Sequence, residues 1–163
     1  MTLFVLTCRI GTGLAFAVLI GAVTTQVVGR SILHSSPPWT EELTRYAMLW
    51  MVACAAGLSF RSGDLVNVDI LSEALPGRWP WLLRLVSAVA TLGLCAVLIA
   101  PALRYTAIGA MQTSPVLKLP MTYVHASILG LLVLLALFAL LRIVAMLAGT
   151  SDGRPHVNPD MIE

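Results

Sequence analysis

Charged side chains are scarce in this sequence. Only 11% of its 163 residues are charged, whereas 58% are hydrophobic. Soluble domains usually contain about 25% charged residues, so the composition excludes an ordinary water-soluble domain. The formal net charge of +2 is small and the basic residues are scattered, which argues against a nucleic-acid-binding protein.

Cysteines and catalytic motifs are also few. Cys8, Cys54 and Cys95 form no C-x-x-C pair, so the sequence predicts neither a disulfide framework nor a zinc site, and we interpret them as small buried side chains. The chain contains no glycine-rich phosphate loop, no H-E-x-x-H and no G-x-S-x-G motif. We therefore expect no enzyme activity, no metal site and no cofactor in this chain.

What the sequence does have is long apolar runs. Four windows approach or exceed the roughly 20 residues that cross a bilayer core: about 10–28, 43–60, 85–103 and 119–141. They predict an all-α integral membrane protein, with a four-helix domain over 1–148 and a short polar tail over 149–163. A cleaved signal peptide is the alternative for the first window, but its apolar run is longer than such peptides need and lacks a clear A-x-A cleavage pattern.

A more polar segment, 64–75, separates the second and third windows. Its apolar residues recur at helix-like intervals, although Val66, Val68 and Ile70 also alternate with polar neighbours, so the period leaves a strand open. A free strand would leave backbone groups unpaired beside lipid. We therefore expect an amphipathic helix lying in the membrane interface.

Four spans place both termini on one side of the membrane. Basic residues are more frequent on the side of the termini: Arg9, Arg61, Arg78, Arg84, Arg142 and Arg154, against Arg30, Arg45, Arg104 and Lys118. Cytoplasmic loops are usually the richer in Lys and Arg, so we expect cytoplasmic termini.

The second window begins with an unusual concentration of charge. Thr40 is a plausible N-cap, Glu41 and Glu42 follow in the first turn, and Arg45 can share their helix face. With two acids and one base, we expect one carboxylate to lack a local partner. Either this is a capped helix start with an internal ion pair, or part of the charge belongs to an interface with another protein.

Titratable groups are missing where coupled transport needs them. Every Asp and Glu falls outside the central thirds of the predicted spans, whereas ion-coupled carriers keep an ionisable group near the bilayer midplane. His125 is the only histidine within a predicted span, and we expect it to form a hydrogen bond to a neighbour. Four spans without a coupling residue are typical of a scaffold.

The block 39–75 carries a family resemblance. Its order and spacing of residues are similar to those of the small membrane subunit of TRAP transporters, the tripartite ATP-independent periplasmic carriers of bacteria and archaea. The matching residues are Trp39-x-Glu41-Glu42-Leu43-x-Arg45-Tyr46, then Trp50, Gly57, Phe60-Arg61-x-Gly63 and Val68-Asp69. The Leu119-Pro120 opening of the last window agrees too. The chain departs from that pattern at Leu65 and Val66, where the family often has a basic residue or histidine.

The resemblance implies a function that residues alone do not give. Such a subunit packs in the inner membrane against a large membrane subunit, which holds the substrate and sodium sites, and a periplasmic binding protein delivers an organic acid to the pair. The transported acid, whether a C4-dicarboxylate, a sialic acid or another carboxylate, is selected in the other chains. The residues expected at interfaces with these partners are Glu41, Glu42, Arg45, Trp50, Gly57, Arg61 and Asp69.

Two other classes of four-span protein stay as alternatives. A small multidrug exporter would need a membrane-buried glutamate in its first helix, and this chain has none there. A membrane anchor subunit of a redox complex with a bis-histidine haem would need two intramembrane histidines, and His125 is alone.

Overall fold

The computed structural model describes residues 2–32, 34–35, 37–62 and 79–149. They form four long helices: α1 (Thr2–Ile32), α2 (Pro38–Ser62), α3 (Trp79–Ile108) and α4 (Thr122–Leu147). A single 3₁₀ turn, Gly109–Met111, follows α3. The predicted all-α membrane fold is confirmed. The expected interfacial helix over 64–75 and most of the polar tail lie outside the described residues.

Each helix contains a segment long and apolar enough to cross a membrane: Val5–Ile32, Pro38–Phe60, Trp79–Met111 and Thr122–Leu147. The first three apolar windows predicted from the sequence lie inside these segments, and each window is shorter than its segment. The reason is that polar and aromatic residues at the headgroup level, such as Trp79, continue a helix beyond its apolar centre.

The start of α4 differs from the sequence expectation of residue 119. The helix begins at Thr122, because residues before it form a tight turn closed by a bridge between Thr113 and Pro120. The Ser114 N–H donates to the Leu119 carbonyl at 2.8 Å. The connection between the last two spans is therefore a shaped loop.

The start of α2 also differs, and Thr40 is not its N-cap. The helix begins at Pro38, whose fixed backbone angle suits a first helical position. Thr40 consequently lies within the first turn, where its Oγ1 donates to the Pro37 carbonyl at 2.7 Å and does not accept from a free N–H.

Among the described residues, the helix backbones approach closely in three pairs: α1 with α2, α2 with α4, and α4 with α3. The spatial order is thus α1–α2–α4–α3. Small side chains are buried between the helices and allow this close approach: Cys8, Ala22, Ala47, Ala53, Ala88, Cys95, Ala102 and Ala139. Large apolar side chains such as Leu14 and Val97 point outward, as expected for surfaces that meet lipid or another membrane protein.

Candidate functional site

The charged residues of the described chain concentrate where α1 and α3 end and α2 and α4 begin. We call this region, residues 29–46 and 104–123, the distal end. Its exposed charged side chains are Arg30, Glu41, Arg45, Arg104 and Lys118. Its two undescribed residues, Leu33 and Ser36, carry no charge. The exposed surface of the distal end is therefore basic.

Glu42 is the exception, because its carboxylate points into the protein. The side chain is 9% exposed and accepts hydrogen bonds from three donors of the α3–α4 connection. These are the Ser114 hydroxyl, the Val116 N–H at 3.2 Å and the Leu117 N–H at 3.0 Å. An ionised carboxylate only accepts hydrogen bonds, so this arrangement of donors suits it.

The sequence pattern predicts that one carboxylate of the Glu41, Glu42 and Arg45 group lacks a local partner, and Glu42 is bonded to a distant part of the chain instead. Its partners come from residues more than seventy positions away in sequence. Glu41 and Arg45 are exposed, so they stay candidates for contact with another protein.

The connection that holds Glu42 is ordered by its own hydrogen bonds. We call residues 112–121 the distal loop. The Met121 N–H donates to the Gln112 carbonyl at 2.9 Å, and the Leu117 N–H also reaches the Ser114 hydroxyl at 3.2 Å. Lys118 adopts a positive φ of 55°, which lets the chain turn back. The loop is consequently clamped to α2 by Glu42 and closed on itself.

Two aromatic side chains of α2 add further ties to α4. The Trp50 indole N–H donates to the Tyr123 carbonyl at 3.2 Å, and the Tyr46 hydroxyl lies 3.8 Å from the Met121 sulfur as a weak donor. Trp50 was expected at a partner interface. It is bonded within the chain, yet its ring is 40% exposed and can meet a partner as well.

His125 forms the neighbour contact expected from the sequence. Its Nδ1 lies 3.0 Å from the Tyr105 carbonyl, and because a carbonyl can only accept, Nδ1 carries the hydrogen. The Tyr105 and His125 rings stack with centroids 3.8 Å apart. Gly109 packs so closely that a Cβ there would lie 2.7 Å from Nδ1. The cluster joins α3 to α4 behind the distal loop.

Gly57, another residue expected at a partner interface, packs inside the chain. A Cβ at this position would lie 2.7 Å from the Phe138 ring, and Ala53 one turn earlier is fully covered. Gly57 thus allows α2 to pack closely against α4, as small residues do between membrane helices. This contact of Gly57 lies within the chain, whereas the sequence pattern predicts Gly57 at an interface with a partner subunit.

The remaining interface candidates are Arg61 and Asp69. Asp69 is outside the described residues, and only the backbone of Arg61 is described. Nearby, the Arg142 guanidinium carbon stands 5.7 Å from the centroid of the Phe60 ring, a cation–π distance.

Sequence reasoning missed three residues that this geometry depends on: Ser114, Tyr105 and Phe138. Ser114 gives the clearest signal in retrospect, because it sits in a Ser-Pro pair that favours a turn. Within the described part of the chain, no three His, Cys, Asp or Glu side chains come together as metal ligands would.

A comparison with protein families matches residues 19–149 to the description "Tripartite ATP-independent periplasmic transporters, DctQ component". The match covers most of the chain, including all of α2, the distal loop and α4. A separate comparison with curated proteins finds no match. Four apolar helices of membrane-spanning length agree with a multi-pass membrane component. The chain belongs to the DctQ component family, the small membrane components of tripartite ATP-independent periplasmic transporters.

Proposed function

We propose that this chain is the non-catalytic small permease subunit of a TRAP transporter in a bacterial or archaeal inner membrane. It packs on the large membrane subunit as a scaffold and helps to dock the periplasmic binding protein. The large subunit carries out sodium-coupled uptake of an organic acid. Sodium and substrate are bound there and not in this chain.

The observation that carries this proposal is the separation of charge from the helix centres. In the described helices, Asp and Glu occur only as Glu41 and Glu42 in the first turns of α2, and Glu42 is held by the distal loop. No acid of these helices is therefore available at the midplane to couple an ion to a solute. A supporting role agrees with this arrangement.

The outward surface of the helices supports a scaffold. Ile10, Leu14, Val86 and Val97 are all more than half exposed, so the helix layer offers long apolar faces to its surroundings. Lipid covers part of such a face, and a polytopic partner can cover the rest through close packing.

The alternatives receive less support. The described α1 contains no glutamate for a multidrug exporter. For a bis-histidine haem anchor two histidines would be needed within the helices, and His125 is the single histidine of the described helices.

The proposal is tested by affinity purification of the tagged chain from its native membrane. We expect a large polytopic membrane protein to co-purify. Deleting the gene should abolish uptake of the organic acid although the large subunit and binding protein are still made. Recovery of a soluble redox enzyme, or of this chain alone, would contradict the proposal.

The orientation is tested separately by labelling single cysteines with a membrane-impermeant reagent. We expect substitutions within 64–75 to react only from the cytoplasmic side and substitutions in the distal loop only from the periplasmic side. Reaction of 64–75 from the periplasm would reverse the topology.

A further inference from the structure

Resting on the proposed function, we infer that the distal end binds the soluble component of the transporter through a basic surface, and that the face it meets is acidic. Arg30, Arg45, Arg104 and Lys118 are exposed there, and Glu41 is the single exposed acid. The inference concerns the chemistry and location of the docking surface, which family membership does not specify.

The inward turn of Glu42 makes this surface more basic than the sequence alone implies. The sequence places two acids at the start of α2, but Ser114, Val116 and Leu117 surround one carboxylate with donors. Its negative charge is thereby offset by hydrogen bonds and hidden from an approaching protein. The exposed surface carries four cations against one anion, and oppositely charged faces speed encounter and select partners.

The distal loop is also ordered before any partner arrives. Its closing hydrogen bonds and the Glu42 clamp fix the positions of exposed Val116 and Leu119, which lie close to Lys118 in the loop sequence. A preorganised surface loses little conformational entropy on binding. Methionine and arginine are enriched at protein interfaces, and Met111 is 91% exposed.

The geometry favours a soluble protein over the other occupants. The large membrane subunit meets the sides of the helices, whereas the distal end points along their axes. Anionic lipid headgroups would attract the cations, but they would repel the exposed carboxylate of Glu41. A folded protein can hold acidic groups opposite the cations and a basic or neutral group opposite Glu41, whereas anionic headgroups present a single sign of charge.

The test measures binding of the purified soluble component to the membrane complex in nanodiscs of zwitterionic phosphatidylcholine. Lys118→Glu and Arg45→Glu should each weaken binding about tenfold at low salt, and the difference should shrink at high salt because mobile ions screen exposed charges. Lys118→Arg and Glu41→Gln are the matched controls and should bind at least as tightly as the wild type.

Co-purification of the large subunit is scored in the same samples. Loss of that partner from the wild-type chain would contradict the proposed function itself. A normal membrane complex in which Lys118→Glu and Arg45→Glu bind the soluble component unchanged would overturn only the basic docking surface. An effect of these variants confined to nanodiscs containing anionic phosphatidylglycerol would assign the surface to lipid and also overturn it.

Discussion

At the scale of single residues, Glu42 separates what a sequence pattern can and cannot predict. The local pattern correctly places acids near the start of α2, where the helix dipole favours them. Which acid turns inward depends on the distal loop, seventy residues later, and on how α4 returns it to α2. No local rule reaches that far, because the contact exists only after the helices pack.

Replacing Glu42 by Gln tests the clamp. The glutamine amide nitrogen cannot accept a hydrogen bond, so one backbone donor, Val116 or Leu117, loses its bond to residue 42, and Leu117 would keep only its longer bond to the Ser114 hydroxyl. We expect the amide of that residue to exchange at least about tenfold faster, as loss of a charge-assisted bond implies. Hydrogen exchange measured by mass spectrometry over the distal loop reports this directly.

The neighbouring substitution Glu41→Gln is the matched control, since Glu41 is exposed and one residue away. Exchange in the distal loop should stay at the wild-type rate. Equal exchange in Glu42→Gln and Glu41→Gln would show that the carboxylate does not hold the loop.

At the scale of elements, the sequence predicted the helices well and their ends less well. Apolar length indicates a span, because an unpaired backbone is too costly in lipid. The length of an apolar run does not indicate where a helix ends outside the apolar region. α3 continues to Ile108 and α4 starts at Thr122, since the bridge between Thr113 and Pro120 closes the intervening turn.

The contact between α2 and α4 depends on Gly57. A methyl group there would lie 2.7 Å from the Phe138 ring, so Gly57→Ala must push the ring or the helix aside. We expect a destabilisation of about 1–3 kcal/mol, typical of overpacking. The measurement is unfolding in mixed micelles with increasing sodium dodecyl sulfate.

Gly93→Ala gives the comparison for that substitution. Gly93 lies within α3, and a Cβ there has no other atom within 4 Å. Its unfolding curve should match that of the wild type or shift slightly towards stability, because alanine favours a helix over glycine. Similar losses in both variants would mean that the effect is not caused by the Phe138 contact.

The turn from α3 into α4 depends on a second close approach, at Gly109. Here a Cβ would meet backbone atoms, with the Thr122 nitrogen at 2.7 Å, as well as the His125 ring. Backbone cannot rotate away as a side chain can. We therefore expect Gly109→Ala to destabilise the chain at least as much as Gly57→Ala in the same assay, and to increase cleavage of the distal loop by added protease. Wild-type behaviour in both measurements would contradict this account.

At the scale of the whole molecule, two properties belong to the arrangement and not to any residue. The order α1–α2–α4–α3 makes α1 and α3 the outer helices, so their exposed apolar residues form the broad faces open to lipid and partners. The distal end gathers loops from both helix pairs into one basic surface. The charges of that surface are positive overall from the sequence, with four cations against Glu41 and Glu42, and the inward turn of Glu42 leaves Glu41 as its single exposed acid.

The same arrangement predicts what the chain does without its partners. Along the described helices Asp and Glu occur only at the start of α2, so no carboxylate of these helices lies near the midplane, where ion-coupled carriers usually keep an ionisable group. Reconstituted alone into liposomes, the chain should accumulate no radiolabelled C4-dicarboxylate or sialic acid under an inward sodium or proton gradient. Liposomes containing the large subunit and the binding protein as well should accumulate the natural substrate. Gradient-driven accumulation by the isolated chain would contradict the proposed scaffold role, because it would require a coupling site within this chain.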